Sequence, residues 1–379
     1  MQTSFPADTF SGIEIYMRIK TKTVAEKTIP TLKIGDLEIN PPIIQGGMGV
    51  RVSGSGLASA VANEGCAGTI ASVGLGAFED ASASKFVELN NSALRAEIRK
   101  ARSLSKGVIG VNVMVVLSNY EELVKVCVEE KVDFIISGSG LPLDLPKKTA
   151  GSNIKLIPIV SSARAFNIIY RKWKQNYNKV PDAVVLEGPM AGGHLGFSYD
   201  DIINDKTQTL EQLVKELVDY VDTLEEAIPV IAAGGIFDGS DIAKFLKIGA
   251  AGVQMATRFV CTTECDVHDD FKQAYITSKK EDIAIINSPV GLPGRVIRNE
   301  FTQRVTKGET IPFRCPHHCL RSCNPRTAPY CIAKVLVDAS KGRMLNSFVF
   351  AGTNAYRCTE IVSVKELINQ LKEELSNSL

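Results

Sequence analysis

The chain has 379 residues, 45% of them hydrophobic, and a formal net charge of +1. That length suits one large α/β barrel with additions, and a mean hydropathy of +0.05 permits a large buried core. The balanced charge, the 7% aromatic content and the lack of a basic block do not fit a nucleic-acid-binding protein, and no apolar run reaches transmembrane length.

The N-terminal region has no basic stretch followed by an apolar one, so it shows no secretory signal and predicts a cytoplasmic protein. Nine cysteines in such a chain indicate reduced thiols rather than a disulfide framework. Residues 1–30 have no clear hydrophobic period and are predicted to form an arm. Residues 31–39 predict a short hairpin with Gly35 and Asp36 at its turn, a unit that can plug the N-terminal end of a barrel.

Strand and helix patterns then alternate along the chain. Strands are predicted at 43–46, 67–73, 108–115, 134–137, 155–160, 183–186, 229–233 and 252–257. Helices are predicted at 56–64, 81–100, 120–130, 163–174, 209–226 and 240–248, and the short, Pro-containing connection 141–151 gives the weakest helical pattern. Eight β-then-α units favour a closed (β/α)8 barrel of the triosephosphate isomerase type over an open doubly wound sheet.

This alternation divides the chain into three parts. Residues 1–40 form the arm and the barrel-closing hairpin, and 41–260 form the barrel. Residues 261–379 form a C-terminal extension with a lid, a cysteine-rich segment and a closing helix at 363–371.

The stretch 183–196 is the most informative one in the barrel. A continuous apolar run, typical of a strand buried on both faces, leads into Glu187, a glycine cluster and His194. Barrels of this type carry their chemistry at the carboxyl ends of the strands, so His194 is the candidate catalytic residue. The alternative is a histidine on a surface loop beside a flexible turn.

Glycines follow four of the predicted strands at their carboxyl ends: Gly46, Gly47, Gly49, Gly138, Gly140, Gly192, Gly193, Gly196, Gly234 and Gly235. Barrels often bind phosphate with the loops after strands seven and eight, which here contain Gly234 and Gly235, and Ala256 and Thr257. Backbone amides and the Thr257 hydroxyl can hold a dianion there. The alternative is that these glycines only form tight turns. No GxGxxG follows the first strand, so a Rossmann nucleotide site is not supported.

Five motifs in order make a resemblance specific: PPIIQGGMG at 41–49, GVNVMV at 110–115, EGPMAGGHLGF at 187–197, IPVIAAGGIFDG at 228–239 and GVQMATRFV at 252–260. Over about residues 35–300 the chain resembles the nitronate monooxygenases, once called 2-nitropropane dioxygenases. It is also similar to the flavin-dependent enoyl-acyl-carrier-protein reductases, which share most of these motifs. The resemblance implies an FMN enzyme on a triosephosphate-isomerase-type barrel.

The resemblance also implies which residues hold FMN. The ring would be contacted by Gly46, Gly47, Met48, Asn112, Ala191 and Gly192. The phosphate would be held by Gly234, Gly235, Ala256 and Thr257, where the family usually has glycine in place of Ala256. Asn112 can instead cap a turn and Met48 can be core filler. Glu187 can bond the flavin ribityl chain, orient a neighbour or be a satisfied polar group.

The implied activity is oxidation of alkyl nitronates by molecular oxygen, with His194 as a hydrogen-bond donor, or as the general base if the substrate is a neutral nitroalkane. One alternative is an NAD(P)H-dependent enoyl-thioester reductase that uses the same flavin, and another is a non-catalytic flavin-binding protein. Inosine-phosphate dehydrogenases share the barrel but need a cysteine after strand six, which is missing here. The expected partner is a small-molecule substrate, with no nucleic acid and no membrane, and a homodimer stays open.

Two segments follow the barrel. SPVGLPGRVIRNEF, at 288–301, is similar to a segment that covers the flavin or supports the lid in these families. Cys315, Cys319, Cys323 and Cys331 come next, with C-x3-C-x3-C-x7-C spacing and with His317 and His318 among them. That is not zinc-ribbon spacing. Two interpretations stay open: the cysteines bind a metal or an iron–sulfur cluster, or they are reduced thiols packed among helices. Any metal bound there would be structural.

Overall fold

The structure is a computed structural model and describes residues 1, 28–76, 85–315 and 317–379. Residues 2–27 of the predicted arm lie outside the described residues. So do the first four residues of the helix predicted at 81–100.

Short apolar runs form the strands of the barrel. Strands β1 (Leu32–Ile34) and β2 (Leu37–Ile39) come first. The parallel sheet contains β3 (Ile43–Gln45), β4 (Gly68–Ala71), β5 (Ile109–Met114), β6 (Phe134–Gly138), β7 (Lys155–Val160), β8 (Val184–Glu187), β10 (Val230–Ala233) and β11 (Gly252–Met255). Between β8 and β10, β9 (Gly193–His194) belongs to a separate sheet.

The parallel sheet closes on itself. Its strand order is β3-β11-β10-β8-β7-β6-β5-β4, so β3 and β4 are its two ends. A parallel bridge between Ile44 and Ala67 joins those ends. The Gln45 backbone N–H donates to the Ala67 carbonyl over 2.9 Å, and the Ala67 N–H donates to the Ile43 carbonyl over 3.0 Å. The predicted (β/α)8 barrel is therefore confirmed, and the carboxyl ends of all its strands meet at one rim.

Helices connect the strands on the outside of the barrel. They are α1 (Ser55–Asn63), α2 (Phe86–Leu104), α3 (Tyr120–Glu129), α4 (Leu145–Lys148), α5 (Ala163–Tyr177), α6 (Tyr199–Ile203), α7 (Leu210–Val221), α8 (Gly239–Ile248) and α9 (Thr257–Val260). The weakest predicted helix, at 141–151, is only the single turn α4. The helix predicted at 209–226 ends at Val221, because Thr223 and Leu224 donate to Tyr220 and Val221, a tighter pattern that closes the last turn.

The hairpin of β1 and β2 fills the N-terminal end of the barrel. Leu32, Ile34 and Ile39 are fully buried in the same apolar cluster as Phe134 and other side chains inside the barrel. The Lys155 ammonium, at the start of β7, lies 2.6 Å from the Asp36 carboxylate at the hairpin turn. The hairpin was predicted, and the structure puts it where it closes the lower end of the core.

The extension after α9 adds helices and a small sheet. It contains α10 (Asp269–Ile276), β12 (Ile283–Asn287), β13 (Pro293–Ile297), α11 (Glu300–Thr306), α12 (Ile332–Ser340) and α13 (Val364–Ser378). The predicted closing helix is α13, and it runs seven residues beyond the predicted end at 371. It returns to the barrel beside α8, where the Gly239 backbone N–H donates to the Glu374 carboxylate over 2.8 Å.

The small sheet joins the extension to the barrel. Its order is β12-β13-β9, and all its pairs are antiparallel. Gly294 pairs with His194 and Arg295 pairs with Gly193. The loop that carries the candidate catalytic histidine is therefore held by a strand that lies about a hundred residues further along the chain.

The hairpin plug generates a stability prediction. Leu32→Ala removes a fully buried side chain from the lower core and should lower the free energy of unfolding by about 2–5 kcal/mol. Lys33→Ala, on the exposed face of the same strand, removes only a surface ion pair with Glu38 and should cost about 1 kcal/mol or less. Urea unfolding of both variants measures the difference, and equal losses would contradict the plug.

Candidate functional site

A cavity of about 410 Å³ opens at the carboxyl ends of the barrel strands. All the site residues predicted from the sequence line it: Gly46, Gly47, Met48, Asn112, Glu187, Ala191, Gly192, His194, Gly234, Gly235, Ala256 and Thr257. The extension contributes further walls. Leu292 belongs to the segment 288–301, which the family resemblance predicted to cover the flavin or support the lid. The sequence analysis did not predict the other residues: Phe271, Tyr275, Leu336, Phe350, Gly352 and Asn354. Barrel loops and the extension together line the cavity.

The loop after β3 approaches the cavity closely. A Cβ atom added at Gly47 would lie 2.4 Å from the Asn112 Cβ, so only glycine fits beside that amide. The loop is held by Gln45, whose side chain accepts from the Thr69 N–H over 2.9 Å and donates to the Ser53 hydroxyl over 2.9 Å. These contacts hold the loop, which lies against the Asn112 side chain at one wall of the cavity.

The loops after β10 and β11 form a cradle on another wall. Gly234 and Gly235 have φ values of +98° and +86°, a conformation that side chains disfavour. A Cβ atom added at Gly352 would lie 2.8 Å from the Thr257 hydroxyl oxygen, and Asn354 donates to the Gly235 carbonyl over 2.6 Å. Backbone groups and one hydroxyl line this cradle, a donor set that suits a phosphate.

His194 projects into the cavity from β9. Its Nε2 lies 2.7 Å from the Ser288 hydroxyl oxygen, in the loop after β12, and its ring packs edge-on against Phe350 with the centroids 4.8 Å apart. Burial lowers the pKa of His194 from 6.5 to about 4. The imidazole is therefore neutral near pH 7 and has one N–H donor and one lone pair to divide between Ser288 and a ligand.

Arg295 holds the loop that precedes His194. Its buried guanidinium donates to the Pro189 carbonyl over 2.6 Å and to the Ala191 carbonyl over 2.5 Å. Burial lowers its pKa to about 10, so it stays charged at neutral pH. The sequence analysis missed this residue, although a single cation inside the apolar run of β13 was a usable signal.

Glu187 and Gln254 are polar groups that face the cavity. Burial raises the pKa of Glu187 from 4.5 to about 7, and none of the described residues forms a hydrogen bond with its carboxyl group. The Gln254 side-chain oxygen is buried and also lacks a partner among the described residues. Buried polar atoms are normally paired, so both groups point to a polar ligand in this cavity.

The cavity fits FMN. Its lining includes the glycine loop and the Thr257 hydroxyl of the cradle, which suit a phosphate, and the unpaired polar groups of Glu187 and Gln254. It also includes a glycine wall at Gly46 and Gly47 against which a flat ring can lie. Both predicted regions, the ring wall and the phosphate loops, belong to the same cavity.

The four cysteines of the extension lie away from this cavity. Cys315, Cys319, Cys323 and Cys331 are half-buried free thiols around one small pocket. Among the described residues, no three His, Cys, Asp or Glu side chains are placed to hold one metal ion. None of the helices in the described part of the chain is long and apolar enough to cross a bilayer.

Comparison with known proteins agrees with this architecture. The sequence profile described as nitronate monooxygenase matches residues 31–374, nearly the whole chain. The chain belongs to the nitronate monooxygenase family. Its closed eight-stranded barrel agrees with that membership.

Relatives in the family differ in their recorded activities. A probable nitronate monooxygenase from Staphylococcus aureus (strain MSSA476) is 30% identical over 313 residues, covering 72% of this chain and 79% of that protein. A (3aS,4S,5R,7aS)-5-hydroxy-7a-methyl-1-oxo-octahydro-1H-indene-4-carboxyl-CoA dehydrogenase from Rhodococcus jostii (strain RHA1) is 29% identical, covering 69% of this chain. The match spans only 64% of that dehydrogenase, just under two thirds of its length.

Solved structures show the same fold. FabK from Thermotoga maritima is 30% identical, with a TM-score of 0.70, and the match covers 89% of this chain and 93% of FabK. Nitroalkane oxidase from Streptomyces ansochromogenes also has a TM-score of 0.70, covering 89% of this chain and 96% of that one, but at 21% identity it supports the fold alone.

The raised pKa of Glu187 generates a pH prediction. In the unfolded chain this carboxyl group should ionise near pH 4.5, and in the folded protein near pH 7. The folded state therefore holds the extra proton between those values, and Glu187 makes the protein less stable as the pH rises through that window. Glu187→Gln removes the penalty, so the variant should gain thermal stability relative to wild type as the pH rises from 5 to 8.

The matched control is Glu373→Gln, on the exposed face of α13. Thermal unfolding of flavin-free protein across this pH range measures the effect. A difference between Glu187→Gln and wild type that does not change with pH would show that the Glu187 carboxyl group is not desolvated.

Proposed function

We propose that the protein binds FMN in the rim cavity and uses molecular oxygen to oxidise alkyl nitronates. The observation that carries the proposal is the neutral imidazole of His194, which β13 holds in a cavity whose other walls suit a flavin and its phosphate. The family relationship and the Staphylococcus relative support the same activity.

The chain would hold FMN from three sides. Backbone amides of Gly234 and Gly235, with the Thr257 hydroxyl, would bind the phosphate. The Asn112 amide and the backbone of Gly47 would lie against the ring system. Bound there, the flavin supplies the electron transfer between substrate and oxygen.

His194 would orient the substrate. A nitronate carries negative charge on its nitro oxygens, which accept hydrogen bonds, and the imidazole N–H can donate to one of them. If the Ser288 hydroxyl donates to Nε2, the proton resides on Nδ1, the nitrogen that then remains for a ligand. A neutral nitroalkane would need a different role from the same ring, removal of its α proton by a lone pair on Nδ1. That role requires the other tautomer, in which Nε2–H donates to the Ser288 hydroxyl oxygen.

A second candidate function is enoyl-thioester reduction. An apolar pocket of about 80 Å³ continues from the cavity past His194, between the loop after β5 and α12, with Leu117, Leu123 and Leu336 in its walls. Such a pocket suits a longer acyl or alkyl chain, and the resemblance of the motifs to those of flavin-dependent enoyl-acyl-carrier-protein reductases favours the same function. An enoyl thioester that reoxidises the reduced flavin, with no turnover of nitronates, would establish this function instead.

The phosphate cradle generates a cofactor prediction. The protein should contain FMN and not FAD, because the loops offer one phosphate site and the sequence has no dinucleotide fingerprint. Gly235→Ala should weaken FMN binding about tenfold or more, since the added Cβ would lie 2.8 Å from the Met190 Cβ and shift the loop.

Gly151→Ala is the matched control for the backbone cost. Gly151 has a φ of +79°, similar to that of Gly235, but an added Cβ would meet nothing within 4 Å. Chromatography of the released cofactor and titration of flavin fluorescence measure both effects. FAD in the purified protein, or equal FMN affinities for the two variants, would refute this assignment.

The two roles of His194, hydrogen-bond donor and general base, can be distinguished by comparing a nitronate with a neutral nitroalkane. His194→Asn keeps a donor but loses the base, so FMN should stay bound and nitronate oxidation should fall by about one to two decades or less. Oxidation of a neutral nitroalkane should fall by about 10²–10⁴-fold, the usual worth of general-base catalysis. Steady-state oxygen consumption with each substrate measures the split.

His268→Asn serves as the control, because His268 is an exposed N-cap of α10 and asparagine caps helices well. This variant should match wild type on both substrates. If His194→Asn retains the flavin but loses activity completely and equally on both substrates, the assignment of two separate roles to His194 would be contradicted. Unchanged activity on both would remove His194 from the site.

A further inference from the structure

As far as the structure describes it, the cysteine-rich segment between α11 and α12 has no regular secondary structure and few buried side chains. From 307 to 331 the described residues form no helix or strand, and between 306 and 329 none of them is buried. Irregular segments of this length are uncommon in compact domains unless they are functional or disordered. Apolar burial contributes little to the order of this one.

The four thiols gather at one place. Cys315, Cys319, Cys323 and Cys331, together with His318, line a single small pocket. The other five cysteines, Cys66, Cys127, Cys261, Cys265 and Cys358, are buried members of the main apolar core. The chain therefore uses cysteine in two distinct ways, and the four clustered thiols are not core filler.

Two anchors position this pocket. The Ser118 N–H donates to the Cys319 carbonyl over 3.1 Å, and the Arg321 N–H donates to the Val116 carbonyl over 2.9 Å, so this part of the segment pairs with the loop after β5. Cys331 is the N-cap of α12, at the positive end of that helix dipole. The first anchor lies on the barrel and the second on the extension.

The charge of the segment suits an anionic centre. Residues 311–331 contain Arg314, Arg321 and Arg326 and no aspartate or glutamate. Four cysteine thiolates around one centre bring negative charge, which nearby arginines stabilise.

The sequence spacing of the thiols, C-x3-C-x3-C-x7-C, is not that of a zinc ribbon. In the described part of the chain no three His, Cys, Asp or Glu side chains are placed to hold one metal ion, whereas the four thiols surround one pocket. In an iron–sulfur cluster each thiolate binds an iron of a larger inorganic core, so the thiols surround that core without converging on one atom.

We propose that Cys315, Cys319, Cys323 and Cys331 bind an iron–sulfur cluster, which cross-links the irregular segment between the loop after β5 and α12. The cluster supplies the folding energy that the segment lacks in apolar burial. It stands apart from the flavin cavity, and no step of the proposed nitronate oxidation depends on it.

The full-length protein, purified without oxygen and reconstituted with ferrous iron and sulfide, tests the proposal. Iron and acid-labile sulfide should be present in equal amounts, about two or four of each per chain, the range for a centre with four cysteine ligands. Mössbauer spectra of protein enriched in ⁵⁷Fe report the cluster without interference from the flavin. Stoichiometric zinc, or folded protein that takes up no iron and sulfide, would overturn the proposal.

Cys319→Ser and Cys323→Ser should each lose most of the iron and sulfide, whereas Cys66→Ala, in the main core, should retain them. Limited proteolysis gives a second readout, since loss of the cluster should expose the segment 307–331 to cleavage while the barrel stays intact. Full iron and sulfide content in both serine variants would overturn the assignment of these thiols, even if the wild-type protein holds a cluster.

Discussion

The pairing of β13 with β9 is the contact on which the site depends. A closed barrel brings the strand ends to one rim, but it does not fix the glycine-containing loop that leaves β8. Arg295 fixes that loop, because its guanidinium satisfies the Pro189 and Ala191 carbonyls in a buried position. A buried cation is costly unless it is hydrogen-bonded, and here the two carbonyls offset part of that cost. His194 follows directly on the part of the loop so held.

The sequence predicted the barrel because each strand is short, apolar and bounded by turn residues. The strand predicted at 155–160 matches β7 without a shift. The twelve predicted site residues line one cavity, because parallel strands in a closed barrel end at the same rim, but their assignment to a flavin came mainly from the family resemblance. Helix ends were predicted less well. The tight last turn of α7 at Tyr220 and Val221, and the continuation of α13 to Ser378, depend on local hydrogen bonds and on packing against α8.

The small sheet was not predictable from local patterns. Ser288 lies 94 residues from His194 in the chain, and Arg295 lies 106 residues from Pro189. Nothing in the hydrophobic period of either segment specifies the other as its partner. The family resemblance indicated that the segment after the barrel covers the flavin or supports the lid, but not that one of its cations holds the histidine loop. The strands could therefore be predicted from the sequence, but their long-range pairing could be seen only in the three-dimensional structure.

Burial acts on the two titratable groups of the cavity in opposite directions. It lowers the pKa of His194 and raises that of Glu187, because a desolvated site disfavours the charged form of each. The imidazole is therefore uncharged near neutral pH, whereas the Glu187 carboxyl group is divided between its protonated and ionised forms. The protonated form can donate a hydrogen bond to a ligand, and the ionised form would repel an anionic nitronate.

The extension sets the size and polarity of the space beyond His194. Cys319, Leu320, Ile332 and Ala333 line both the thiol pocket and the apolar pocket that reaches His194. One layer of side chains thus separates the proposed cluster from the space that would hold the substrate chain. The barrel loops that suit the flavin come from five family motifs, while this wall comes from a segment that the shared motifs do not include. Changes to the side chains of this wall would therefore alter the apolar pocket without touching the loops that suit the flavin.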